Sequence, residues 1–172
     1  MNKTILWAGI LIIISIGAWL LSQKEEVPND PQQTPVDTAN ENATPENTTT
    51  LDLSNKELTK VPEQVFTMSS LTTLNLSHNK LEGALPAEIQ HLQNLRHLDL
   101  SNNNFTGVPA EIGQLKKLET LNLSDNALTG LPNEMANLSN LQTLNLQGNK
   151  YSVSDLETIK KGLSDSVEIL TD

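Results

Sequence analysis

The sequence predicts an α/β solenoid, in which each coil contributes one short strand and one short helical turn. Two observations support this fold class. A nine-residue pattern begins at Leu71 and returns at Leu95, Leu118 and Leu141, at intervals of 24, 23 and 23 residues. Within each pattern, leucines alternate with polar residues, which is the period of a strand with one buried face. A fixed period of this length indicates coils that bury their apolar edges only by stacking on one another.

The residues of this pattern are nearly the same in every coil. It reads Leu71-Thr-Thr-Leu74-Asn-Leu76-Ser-His-Asn79 in one coil, and its asparagine recurs at Asn103, Asn126 and Asn149. These residues resemble the leucine-rich repeat family, whose pattern is L-x-x-L-x-L-x-x-N-x-L. The resemblance covers roughly residues 48–172. It implies a curved right-handed coil with one parallel β-sheet on the concave face, short helical turns on the convex face, and a ladder of these asparagines between coils.

The return path of each coil predicts a short helical turn. Its segments are Leu85-Pro86-Ala-Glu88-Ile89, Val108-Pro109-Ala-Glu111-Ile112 and Leu131-Pro132-Asn-Glu134-Met135. Proline suits the first position of such a turn, and glutamate suits its N-terminal end.

Both ends of the repeat domain, predicted at 49–172 with about five repeats, are atypical. In the first coil, Thr48 replaces the first leucine and Lys56 stands at the asparagine position. At the other end, residues 154–170 predict a capping helix followed by an edge strand. Val167 and Ile169 are expected to replace the two strand leucines of a further coil. The cysteine-bounded caps of many animal and plant extracellular repeats are absent, which by resemblance favours a bacterial source.

The first 24 residues predict a transmembrane signal-anchor helix. Residues 4–23 carry no charge, and about twenty helical residues span the roughly 30 Å of a bilayer core. Trp7 and Trp19 stand near the two ends of the span. A cleaved signal peptide, giving a secreted protein, is the alternative. Lys3 and the amino terminus precede the span and Lys24 follows it, which favours a cytoplasmic N-terminus and extracytoplasmic repeats.

Residues 25–48 are acidic and rich in proline, threonine and asparagine, with little to bury. Such a composition predicts a disordered linker that separates the repeats from the membrane. The formal net charge of the whole chain is −10, which argues against a nucleic-acid partner. The chain has no cysteine, so it has neither disulfides nor thiolate metal ligands.

The polar strand positions of successive coils predict four columns on the concave face. They are Asp52, Asn75, Asp99, Asn122, Asn145; Thr50, Thr73, His97, Thr120, Thr143; Thr49, Thr72, Arg96, Glu119, Gln142; and Ser54, Ser77, Ser101, Ser124, Gln147. The serine column is interpreted as a solvated ladder. No catalytic set, cofactor site or metal cluster is expected. Asp52 and Asp99 are two coils apart, and His97 and Ser101 are about 13 Å apart along one strand, beyond hydrogen-bond reach.

The sequence therefore predicts a non-catalytic interaction module displayed on a membrane, binding a protein, peptide or glycan. The residues predicted to contact this partner lie where both signs of charge meet in the middle of the sheet: Asn75, Arg96, His97, Asp99, Glu119 and Asn122. A structural cell-envelope protein without a specific ligand and an accessory or receptor-like sensor subunit are the alternatives.

Overall fold

The computed structural model describes residues 48–172. The predicted anchor and nearly all of the predicted linker lie outside the described residues. In the described part, no helix combines the length and the apolar character that crossing a membrane requires.

Six parallel strands form the main sheet. Its strands are β1 (Thr50–Asp52), β2 (Thr73–Asn75), β4 (His97–Asp99), β6 (Thr120–Asn122), β7 (Thr143–Asn145) and β8 (Glu168–Leu170), in the order β1-β2-β4-β6-β7-β8. The remaining strands, β3 (Glu82–Ala84) and β5 (Asn104–Gly107), pair with each other. The register of the main sheet places Leu74, Leu98, Leu121 and Leu144 directly beside one another. These four are at most 1% exposed, so the alternation of the sequence does bury one face of the sheet.

The pair β3–β5 lies outside the predicted parallel sheet, which the six main strands confirm, and was not predicted from the sequence. It is a second, two-stranded parallel sheet with a register irregularity between Gly83 and Ala84. The bulge falls in the one coil of the repeat that is 24 rather than 23 residues long. The additional residue is therefore accommodated in β3, outside the main sheet.

Four 3-10 helices form the return path. They are η1 (Glu63–Thr67), η2 (Ala87–His91), η3 (Ala110–Gln114) and η4 (Asn133–Asn137). The sequence had suggested that the prolines occupy the first position of these helices. In the structure each proline instead directly precedes its helix. Each proline carbonyl accepts the first i→i+3 hydrogen bond, for example from Val65 N–H to Pro62 O at 3.0 Å. The missing N–H of proline costs nothing at this position.

The repeating asparagine joins adjacent coils through both ends of its amide. Asn103 Oδ1 accepts from Leu81 N–H at 3.1 Å, and Nδ2 donates to Leu76 O, Leu100 O and Ser101 O at 3.0–3.1 Å. Asn79, Asn126 and Asn149 make equivalent bonds. An amide that both donates and accepts satisfies backbone groups that the bend would otherwise leave unpaired.

The C-terminal end is covered by helix α1 (Val153–Lys160), which buries Leu156 and Ile159 and is capped by the hydroxyl of Ser152. The edge strand β8 follows, and Ile169 pairs with Leu144. Ile169 therefore replaces the first strand leucine. Val167 precedes the strand and does not replace a strand leucine, because the connection through α1 makes this coil longer than the repeat.

Candidate functional site

One of the four polar columns, the one that contains only Asp and Asn, stabilises the bend at the end of each strand. Each side-chain Oδ1 accepts from the backbone N–H two residues further on. The pairs are Asp52–Ser54, Asn75–Ser77, Asp99–Ser101, Asn122–Ser124 and Asn145–Gln147, at 2.8, 3.0, 2.9, 3.2 and 3.1 Å. Asp and Asn are the residues whose short side chains bond to their own backbone in this way. Three residues of the predicted partner-binding set, Asn75, Asp99 and Asn122, thus have a structural bond as well.

A left-handed residue follows each of these turns. Asn55, His78, Asn102, Asp125 and Gly148 all have φ between 52° and 68°. In the first four, the N–H donates to a backbone carbonyl of the next coil, as from His78 to Ser101 O at 3.0 Å. The chain turns away from the sheet at this point.

The serines of this bend are buried, which corrects their interpretation as a solvated ladder. Ser77, Ser101 and Ser124 are 6%, 5% and 7% exposed. The backbone N–H of each serine donates to the Asp or Asn side chain two residues before it, and the serine carbonyl accepts a backbone hydrogen bond from the preceding coil. Small side chains are required here because the bend packs against its neighbours. These serines are therefore unavailable to a partner.

The residues that precede and begin the strands form the accessible part of the face. Arg96, the single arginine of the chain, forms an ion pair with Glu119 on the next coil. The side chain of Arg96 is 51% exposed and that of Glu119 is 24% exposed. Because the pair is open to solvent, it adds only about 0–1 kcal/mol to stability. His97 is exposed, and its Nδ1 lies 3.3 Å from Thr120 Oγ1 on the neighbouring strand.

The structure thus brings the six predicted residues onto one face but divides them by role. Register places Asn75, Asp99 and Asn122 side by side on β2, β4 and β6. Arg96, His97 and Glu119 form a second group, the exposed charged patch, which retains donors, an acceptor and charge toward solvent.

The electrostatics of the face are mild. At its N-terminal edge, the Ser54 backbone N–H and then the Ser54 side chain hold the pKa of Asp52 below its usual range of about 3.8. Lys56 acts in the same direction. The carboxylate is fully exposed, so this shift reflects the turn and not a catalytic environment.

The geometry offers no assembled reaction centre within residues 48–172. The whole of β2 separates Asp52 from Asp99, and the nearest side-chain partner of His97 is a threonine. In the same part of the chain, no three His, Asp or Glu side chains converge in a group that could hold a metal ion.

Comparison with known proteins agrees with the repeat geometry. The leucine rich repeat family profile matches residues 46–105 and 93–150, more than half of the chain. The chain belongs to the leucine-rich repeat family.

Similar proteins include bacterial and plant members. A solved leucine-rich repeat protein of Leptospira interrogans is 45% identical, with a TM-score of 0.61, over 66% of this chain and 28% of that one. A plant peptide hormone receptor solved with its peptide, RGFR1 in complex with RGF2, is 36% identical, with a TM-score of 0.59, over 71% and 20%. Phytosulfokine receptor 1 of Arabidopsis thaliana is 40% identical over 58 residues, which are 33% of this chain and 6% of the receptor. This chain spans less than a third of the length of each of these three proteins.

Proposed function

We propose that this protein is a membrane-tethered recognition module that binds a protein or peptide partner on the concave face of its repeats. The observation that carries the proposal is the exposed charged patch of Arg96, His97 and Glu119 in the middle of a six-stranded sheet. Solenoids use such extended concave surfaces for binding. The peptide in the structure of the similar plant receptor gives independent support.

In this proposal the domains divide the work. Residues 1–24 form the anchor, 25–48 the linker, and 49–172 the binding domain. The cytoplasmic N-terminus and the extracytoplasmic repeats follow from the positive charges that flank the apolar stretch. The similarity to a protein of Leptospira interrogans supports a bacterial source.

The charged patch is proposed to position a partner by paired hydrogen bonds from the Arg96 guanidinium and the imidazole of His97. A guanidinium presents a rigid fork of donors that recognises carboxylates and carbonyl groups well. Glu119 orients this fork through its ion pair. In the neighbouring Asn75, Asp99 and Asn122, Oδ1 holds the bend, and the second polar atom of each side chain is proposed to contact the partner.

Binding is tested by immobilising the full chain and titrating envelope-protein and peptide extracts from the producing cells. Arg96→Glu places two carboxylates side by side, and we expect it to abolish saturable capture. Arg96→Glu with Glu119→Arg restores an ion pair but reverses its direction, so capture should stay lost while the fold is kept. Lys150→Glu changes the net charge equally at an exposed site outside the sheet and should bind normally. Equal capture by all four proteins would remove this patch as the binding site.

Topology is tested separately by adding protease to intact cells that produce the full chain. We expect the repeats to be digested without permeabilising the cytoplasmic membrane. Digestion only after permeabilisation would contradict the extracytoplasmic placement. A fragment lacking the anchor in the culture medium would instead indicate cleavage and secretion.

A further inference from the structure

A groove of about 640 Å³ lies outside the main sheet, between the first coil and β3. One side is formed by residues 59–67 of the first coil, and the other by β3 and η2. None of the six predicted partner-binding residues lines it. It is therefore a surface distinct from the concave face.

The groove lies beyond the last backbone hydrogen bond that joins the first two coils on this side. Lys80 N–H donates to Leu58 O at 2.8 Å, and beyond it no backbone hydrogen bond joins residues 59–67 to residues 81–91 in the described part of the chain. Four residues lie between Leu81 and Pro86, whereas three lie between the equivalent Leu58 and Pro62. The longer segment forms β3, which pairs only with β5. The other edge of β3 faces the groove without a strand partner among residues 48–172.

The floor of the groove is apolar and well packed. Val61, Phe66, Leu81 and Phe105 line it and are at most 8% exposed. The exposed Ala84 forms part of one wall. An unpaired strand edge beside an apolar floor is the geometry to which extended peptides add as a further strand.

The rim of the groove is acidic. Glu63, Glu82 and Glu88 are exposed there, against the single cation of Lys60 and the imidazole of His91. The protein's own segment 25–47 contains six carboxylates and neither lysine nor arginine, so like charge opposes its docking. A second copy of a chain with a net charge of −10 meets the same repulsion.

We propose that this groove binds an extended cationic segment of another protein, which pairs its backbone with the free edge of β3. Alternate apolar side chains of that segment rest on the floor, and its lysines or arginines meet the three rim glutamates. Backbone pairing supplies the orientation, and the rim charges select a basic sequence. The concave face and this groove then contact different partners, or different parts of one partner.

The experiment uses the full chain and a fluorescent, capped heptapeptide that alternates lysine with valine and phenylalanine, KVKFKVK. We expect saturable anisotropy changes with KVKFKVK and none with the acidic counterpart EVEFEVE. Glu82→Lys with Glu88→Lys should weaken binding by at least about tenfold, because two charge pairs become repulsive. Ala84→Trp, which fills the groove, should also abolish binding. Circular dichroism verifies the fold of each variant.

The matched control reverses two exposed carboxylates nearer the C-terminal end of the repeats, Glu134→Lys with Asp165→Lys, and changes the net charge by the same amount outside the groove. Binding to this control should stay within about twofold of wild type, since distant exposed charges are largely screened. If both double variants weakened peptide binding equally, the binding would depend only on general charge attraction, and the proposal would be overturned. Absence of peptide binding to the wild type overturns it as well, as does tighter binding of a synthetic 25–47 peptide. Arg96→Glu should leave peptide binding unchanged, which separates this proposal from the one for the concave face.

Discussion

The backbone N–H of Gly148 donates to both carboxylate oxygens of Asp172, at 3.0 and 3.1 Å. In preceding coils, the left-handed residue at this position donates to a backbone carbonyl of the next coil, as Asp125 does to Gln147 O at 2.8 Å. The Asp172 carboxylate thus takes the place of a backbone acceptor and ties β8 to the last complete repeat.

We expect Asp172→Ala to loosen this edge locally. Loss of the acceptor should cost about 1 kcal/mol or less, because the exposed Gly148 N–H can bond to water. Amide hydrogen exchange measured by NMR should accelerate at Gly148 and within Glu168–Leu170. Asp165→Ala removes an equally exposed carboxylate without a hydrogen bond and serves as the control. Equal exchange in the two variants would contradict the tie.

Tyr151 provides a second test of the same end. Burial raises the pKa of the phenol above 10.0, the negative charge of Asp172 raises the pKa further, and Lys160 opposes these effects. The folded state therefore holds this proton more tightly than the unfolded state does. The resulting stabilisation is fully present below pH 10 and is lost as the pH rises through the folded pKa.

Because Tyr151 is the only tyrosine, its phenolate absorbance near 295 nm can be titrated directly. Asp172→Asn should lower the pKa that is measured for the folded chain, since one source of negative charge disappears. An apparent pKa at or below that of the urea-unfolded chain would show the predicted sign to be wrong.

The asparagine ladder predicts a strong effect for Asn103→Asp. The carboxylate can still accept from Leu81 N–H, but it cannot donate, and it faces the carbonyls of Leu76, Leu100 and Ser101. We expect the free energy of unfolding to fall by about 1–3 kcal/mol, because the Asn103 site is partly buried and its carbonyl partners lose their donor. Urea denaturation measures the loss. Asn104→Asp, an exposed neighbour, should change stability by less than about 0.5 kcal/mol.

Gly113 tests the close approach of η3 and η4. A Cβ at this residue would overlap the backbone carbonyl of Glu134, with its carbon only 2.8 Å away. Gly113→Ala should therefore force two coils apart and lower the thermal midpoint by several degrees, the shift expected for about 1–3 kcal/mol. Gly107→Ala is the control, because a Cβ there meets only Ala84 Cβ at 3.9 Å. A similar thermal midpoint for both variants would refute this packing argument.

Two substitutions of Asp99 test whether its hydrogen bond to Ser101 N–H stabilises the turn. Asp99→Asn keeps the acceptor for Ser101 N–H, as Asn75 and Asn122 do in their own coils, so stability should change by under about 0.5 kcal/mol. Asp99→Ala removes it and should cost about 1 kcal/mol in thermal or urea unfolding. If the two substitutions cost the same, the bond does not hold the turn.

Much of the scaffold could be predicted because its signal repeats. The leucine alternation predicted the position of every interior strand of the main sheet, and the family resemblance implied the ladder that Asn79 and its equivalents form. The strand β3 could not be predicted in this way. Glu82, Gly83 and Ala84 show no apolar alternation and low β-propensity, and Gly83 has a positive φ of 78°, so only the pairing with β5 makes this segment a strand.

The face was harder to predict than the core. A column containing only Asp and Asn was visible in the sequence, but its positions also point toward solvent, so a turn and a binding surface were both consistent with it. The absence of Thr, Lys and Gln from that column was the signal for a turn. The Arg96–Glu119 pair joins residues 23 apart and depends on register, which the repeat period could have supplied.

The asparagine amides also determine how the domain would respond to force. Each amide bonds within its own coil and to the coil before it, spanning up to 27 residues of chain. When the chain is pulled, we therefore expect the hydrogen bonds of one asparagine to break before the force reaches the asparagine of the next coil. Since an extended residue spans about 3.5 Å, each released coil lengthens the molecule by about 80 Å. Stretched from its two ends, the domain should unfold one coil at a time and lengthen in steps of nearly equal size.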